Sequence, residues 1–112
     1  MVKTEVSEKI LYAYISGELD HHTAKDIRAK IDSEIEQNQP MQTILDFSAV
    51  TFMDSSGIGL VMGRYKRMQE NGGSVVVQNP PASIRKVMQL AGLDRIAAII
   101  NTKAGRKNEN IE

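Results

Sequence analysis

Apolar positions in this chain alternate in some stretches and recur every three or four residues in others, and the two periods take turns. Residues 9–16 (KILYAYIS) alternate and are rich in apolar and aromatic types, which predicts a half-buried strand. A weaker strand is expected at 2–6, with the polar Ser7-Glu8 as a hairpin turn. Ala24, Ile27, Ile31 and Ile35 then recur at helical steps between charged residues, predicting an amphipathic helix to about Asn38 that stops before Pro40. Residues 43–47 (TILDF) are short and mostly apolar, as in a buried strand. The helical period returns over 57–70, with Ile58, Val61, Tyr65 and Met68 on one side and Gly72-Gly73 at its end. Val75-Val76-Val77 predicts another buried strand, Pro80-Pro81 opens a helix with the stripe Ile84, Val87, Met88 and Ala91, Gly92 caps it, and 96–100 (IAAII) is a last strand. The order β-β-α-β-α-β-α-β implies an α/β domain with a mostly parallel sheet, right-handed crossovers and an N-terminal hairpin. No linker or repeat divides residues 1–100, and 101–112 is polar and patternless, the expectation for a flexible tail.

Composition narrows the function classes. A chain of 112 residues, 41% hydrophobic and 25% charged, can bury a core without staples. Lys+Arg and Asp+Glu are both 14, and that balance argues against a nucleic-acid surface or a polybasic membrane patch. The absence of cysteine excludes disulfides, thiolate metal sites and thiol chemistry. No run of apolar residues is long enough to span a bilayer, and Met-Val-Lys-Thr-Glu lacks the apolar core of a signal peptide, so a cytoplasmic domain is expected.

Two polar segments carry candidate chemistry. The first, Asp54-Ser55-Ser56-Gly57-Ile58-Gly59, lies between a predicted strand and a helix, where free N–H groups and the helix dipole favour an anion. Such residues are also ordinary turn and cap formers. Yet the third residues after Ser55 and Ser56 are Ile58 and Gly59, so no capping box forms. Gly57, Gly59 and Gly63 also fall in the early helix, where each costs about 0.5–1 kcal/mol relative to alanine. Glycines there clear the surface for a partner backbone or a nucleotide. The second segment, Ser16-Gly17-Glu18-Leu19-Asp20-His21-His22-Thr23, has Asp20 as a candidate N-cap. Adjacent histidines on a helix point about 100° apart and chelate one metal poorly, so no metal is expected. Both segments follow strands of one sheet and can share one surface. A surface role for Asp20 predicts that Asp20→Ala weakens partner binding with little change in stability. Arg64, Lys66 and Arg67 read as a solvated basic face, Tyr65 as core, and the six methionines as packing.

GELDHHTA (17–24) and FMDSSGIGLVMGRYK (52–66) closely resemble the anti-sigma factor antagonists of the sporulation sigma-F type, members of the STAS domain family. Leu90-Ala91-Gly92-Leu93 resembles a later Gly-Leu signature, and the likeness runs from about residue 3 to 100. The resemblance implies a single STAS-like α/β domain with a mixed, mostly parallel sheet of about five strands and three or more helices. It also implies a binding module without cofactor or catalysis. Its unphosphorylated form binds an anti-sigma factor that is a serine kinase holding ATP or ADP, and so releases the sigma factor. Phosphorylation of the first DSSG serine, Ser55, ends binding, and a serine phosphatase resets the cycle. The partner-contact residues implied are Glu18, Asp20, His21, Thr23, Asp54, Ser56, Gly57, Ile58 and Gly59, in a protein expected to be a monomer. Relatives often end in a further helix, which the polar tail here does not suggest. Two alternatives stay open: a STAS module of a general stress pathway, and a Ser/His hydrolase. The hydrolase lacks a Gly-x-Ser-x-Gly elbow, and nucleotide binding by the domain itself lacks a P-loop.

Overall fold

The computed structural model describes residues 1–102. Strands β1 (Val2–Ser7), β2 (Ile10–Leu19), β3 (Gln42–Met53), β4 (Ser74–Gln78) and β5 (Ala98–Ile100) alternate, after the first hairpin, with helices α1 (His21–Asn38), α2 (Ser55–Glu70) and α3 (Ala82–Leu90). The sheet order is β1-β2-β3-β4-β5, antiparallel at the first pair and parallel thereafter. The hairpin turns at Glu8 and Lys9, one residue later than expected, both at positive φ (52° and 67°) as a two-residue turn between twisted strands requires.

Every parallel crossover steps to the next position in the same direction, so the right-handed rule places all three helices on one face. Burial follows. Leu11, Ala13 and Ile15 of β2, Thr43, Leu45 and Phe47 of β3, and Val75 and Val77 of β4 are buried against Ile27, Ile31 and Ile35 of α1 and Leu60, Val61 and Met68 of α2. The alternate positions Tyr12, Ile44 and Val76 are only half-buried on the opposite face.

Where the structure departs from the sequence expectation, the reasons are local. Strands β2 and β3 run on through segments read as loops, to Leu19 and Met53. Beyond the Asp46↔Gln78 pair β3 leaves β4 behind and continues as a two-stranded ribbon with β2, with register shifts between Tyr14 and Ser16 and between Gly17 and Glu18. Gly17, at φ +84°, accommodates the kink. Polar residues are tolerated there because much of the ribbon faces water. Helix α2 starts at Ser55, and its buried positions are Gly57, Leu60, Val61, Arg64 and Met68, with Ile58 and Tyr65 half-buried at the margins. Arg64 is therefore not on a solvated face: it is 6% exposed, and Asp32 of α1 supplies the opposing charge that permits burial. In α3 only Ile84 and Met88 are buried, while Val87 and Leu90 point outward, because this short helix lies over the narrow β4–β5 edge. Leu93–Arg95 forms a 3₁₀ turn, which leaves β5 three residues.

Asp46 closes the carboxyl end of the sheet. Its carboxylate accepts from Ser48 N (2.9 Å), Ser48 Oγ (2.6 Å) and Gln78 Nε2 (2.8 Å), which explains an acidic side chain only 6% exposed. Asn79 in turn donates through Nδ2 to Thr102 Oγ1 (2.8 Å), and Arg85 donates to Asn101 Oδ1 (3.0 Å), so Asn101 and Thr102 are tied to the body. The remainder of the expected 101–112 tail lies outside the described residues. Among the described residues no helix is long and apolar enough to cross a membrane.

Candidate functional site

Strands β2 and β3 end in register, Leu19 opposite Met53, and each is followed at once by an aspartate and a helix. Asp20 and Asp54 both take extended backbone angles and cap α1 and α2. Asp20 Oδ1 accepts from the N–H groups of His22 and Thr23, each at 3.0 Å, while Thr23 Oγ1 accepts from Asp20 N (3.0 Å), a complete capping box. Thr23 Oγ1 also donates to the Glu18 carbonyl at 2.7 Å. Asp54 Oδ1 accepts from Ser56 N (2.8 Å), and Asp54 N donates to the Leu19 carbonyl (3.2 Å), linking the two caps. Two helix N-termini thus stand side by side at the end of the ribbon.

The caps revise the reading of Asp20. The three hydrogen bonds that its side chain accepts predict that Asp20→Ala loses stability along with any binding. The Thr23 N–H, and secondarily that of His22, hold its carboxyl below the usual aspartate range. A depressed folded-state value adds stability that is fully present above the ordinary aspartate pKa and lost as pH falls through the folded value. The melting-temperature advantage over Asp20→Asn should therefore be present at neutral pH and be lost as pH falls through the folded-state value, below the ordinary aspartate range. A constant difference across that range would remove the charge from the account.

Ser55 is the first residue of α2 and is exposed. Asp54 does the capping, and the Ser55 hydroxyl makes no hydrogen bond among the described residues. The glycines that follow divide. Gly57 is buried, and a Cβ there would run into the Met53 side chain and approach Leu19 Cδ2 at 3.2 Å, so its clearance serves internal packing. Gly59 and Gly63 face open space. Gly57→Val is expected to cost about 1–3 kcal/mol by overpacking, whereas Gly59→Ala should be neutral or slightly stabilising, as chemical unfolding of both variants will show. Ile58 packs half-buried at the core's edge, and Glu18 is exposed on the ribbon.

Between the two helix starts lies an open groove of about 280 Å³ lined by His21, Ala24, Lys25, Arg28, Ser56, Gly59 and Leu60. Lys25 and Arg28 had drawn no attention in the sequence, although their spacing from His21 (i, i+4, i+7) places all three on one helix face. Phe52, 50% exposed at the ribbon's end, was also missed; two residues before the cap, it lay in a segment read as a loop. The His21 and His22 rings meet edge-on at 6.3 Å, no Ser–His hydrogen bond forms, and no cluster of three metal-ligating side chains occurs among the described residues. Further along the seam, Arg64 Nε lies 2.9 Å and Arg67 Nε 3.8 Å from Asp32 Oδ1. The Arg64–Asp32 contact is too bent for a hydrogen bond, and Arg64 Nε and Nη1 are buried without an acceptor. Burial accordingly lowers the Arg64 pKa; Asp32 opposes that shift, and Arg28 and Arg67 add to it.

This geometry has relatives. The STAS domain family profile matches residues 1–105. The chain is 34% identical over 110 residues to the anti-sigma F factor antagonist of Paenibacillus polymyxa, covering 96% of this chain and 92% of the relative. It is 36% identical over 109 residues to that of Lysinibacillus sphaericus, covering 86% and 93%. Among solved structures it resembles the anti-sigma factor antagonist SpoIIAA in its unphosphorylated form, with a TM-score of 0.81 and 35% identity over 93% of this chain and 90% of that one. The phosphorylated form of SpoIIAA from Bacillus gives 0.75 at the same identity, covering 93% of each chain.

Proposed function

Since this chain belongs to the STAS domain family, we propose that it is an anti-sigma factor antagonist of the sigma-F type, switched by phosphorylation of Ser55. In its unphosphorylated form it binds a cytoplasmic anti-sigma factor through the paired helix starts, and the sigma factor is released. The partner, a serine kinase, transfers a phosphoryl group from ATP to Ser55 Oγ and the phosphoprotein dissociates. A serine phosphatase restores the hydroxyl. The chain itself is substrate and ligand rather than catalyst. The observation that carries this reading is the exposed, unbonded hydroxyl of Ser55 at the positive end of α2, beside an aspartate that relieves it of capping. Support comes from a relative of 35% identity known in both phosphorylation states. The anti-sigma-B antagonist of Bacillus subtilis is less similar, at 29% identity, which favours the sigma-F circuit over the general stress one.

Glu18, Asp54, Ser56 and Gly59 supply contact surface around Ser55. Thr23 and Gly57 support it from beneath, through the cap of α1 and the seat of Met53. The test is reconstitution with the anti-sigma factor and sigma factor of the same organism. Adding the chain should free sigma factor from the complex, and ATP should then add one phosphate that maps to Ser55. An unchanged mass, or a phosphate confined to Ser56, overturns the site; failure to free sigma factor overturns the function.

A further inference from the structure

The α1–α2 seam holds an unbalanced charge. His21, Lys25 and Arg28 follow one another along α1 toward Asp32, and α2 meets that carboxylate with Arg64 and Arg67. Among the described residues Asp32 is the one carboxylate within ion-pair distance of any of these cations. Four permanent cations against one carboxylate leave three positive charges in excess, in a chain whose formal charges sum to zero as a whole. Asp20 and Asp54, at the starts of the same two helices, are committed to capping N–H groups. Arg64 is 6% exposed, and its Nε and Nη1, like Asp32 Oδ1, are buried without a hydrogen-bond partner.

The groove beside this strip is open at Gly59, where a Cβ meets nothing within 4 Å, and its floor of Ala24 and Leu60 is apolar. Its volume, about 280 Å³, falls below the roughly 300–1,000 Å³ of sites that enclose a drug-sized or nucleotide-sized ligand. It suits one or two side chains of a polypeptide. Resting on the functional reading above, we infer that this strip docks an acidic segment of the anti-sigma factor, with Lys25 and Arg28 receiving its carboxylates and the Ala24–Leu60 floor taking a small apolar side chain. Ser56 lines the same groove, so a phosphate on the adjacent Ser55 adds negative charge beside it and opposes the incoming carboxylates.

The experiment is titration of the full chain against its anti-sigma factor at several salt concentrations. Wild-type affinity should fall as salt rises. Lys25→Glu/Arg28→Glu should weaken binding about tenfold per reversed charge at low salt and flatten the salt dependence. Lys25→Gln/Arg28→Gln should show a smaller loss of the same kind. Lys66→Glu/Lys86→Glu, with the same change in net charge on exposed sites away from the groove, should stay within about threefold of wild type. Equal losses in the two reversal pairs, or an unchanged salt slope, overturn the inference and leave the antagonist function standing. So does a loss seen only when the partner carries nucleotide, which assigns Lys25 and Arg28 to its phosphates. No binding by wild type overturns both.

Discussion

Ser55→Asp is expected to bind the anti-sigma factor about a hundredfold more weakly than the parent while melting at nearly the same temperature. The two halves of that expectation have separate causes. A carboxylate in the first turn of α2 sits at the positive end of the helix dipole, and Ser55 is exposed with no hydrogen bond to lose, so the fold accepts the charge. A partner carboxylate or nucleotide phosphate about 5 Å away repels it by about 3 kcal/mol at an effective dielectric of ~20, or about two decades of affinity. A true phosphate, with about −1.5 to −2 charges, acts more strongly still. Ser55→Ala should bind like the parent and resist phosphorylation. Calorimetric titration with melting curves decides the matter: parent-like binding by Ser55→Asp, or a matching drop in its stability, removes local repulsion as the mechanism.

The second large effect is one of stability. Asp32→Ala should cost about 2 kcal/mol, because it strips Arg64 of the one counter-charge it has among the described residues while the guanidinium stays buried beside Arg28 and Arg67. Arg64→Met, which keeps the apolar stem and removes the charge, should stay within about 1 kcal/mol of the parent or exceed it. Urea denaturation of the two variants and of the double mutant separates pair from partners. If Arg64→Met loses as much as Asp32→Ala, the ion pair is a net stabiliser and the charge imbalance along the seam is not strained.

Much of this was legible in the residues. Ala24, Ile27, Ile31 and Ile35 gave α1 its buried face as read, since a stripe of apolar residues between charges has one way to bury. The Ser55 segment was found because glycines early in a helix conflict with helix propensity, and conflict marks constraint. That signal does not say which constraint. Gly57 makes room for Met53 and Gly59 for open surface, a difference that depends on what lies across the packed interface. Arg64 was misread for a related reason: a charged residue on a helix reads as solvent-facing unless its counter-charge on another element is known, and Asp32 lies 32 residues earlier, on α1. The ribbon was missed because strand pairing beyond a sheet edge needs no apolar alternation.

Strands β2 to β5 run parallel, so their carboxyl ends all face the side on which the ribbon projects with Ser55 beyond it. The antiparallel β1 brings the other terminus there too, with the Met1 amine 3.1 Å from the Ser16 carbonyl, while Asn101 and Thr102 leave β5 on the same side. Any dye or surface linkage attached at Met1 or Thr102 is therefore anchored on the same side of the sheet as Ser55. The Glu8–Lys9 turn and the Gly72 turn lie at the far end of the sheet and offer attachment points that leave Ser55 unobstructed.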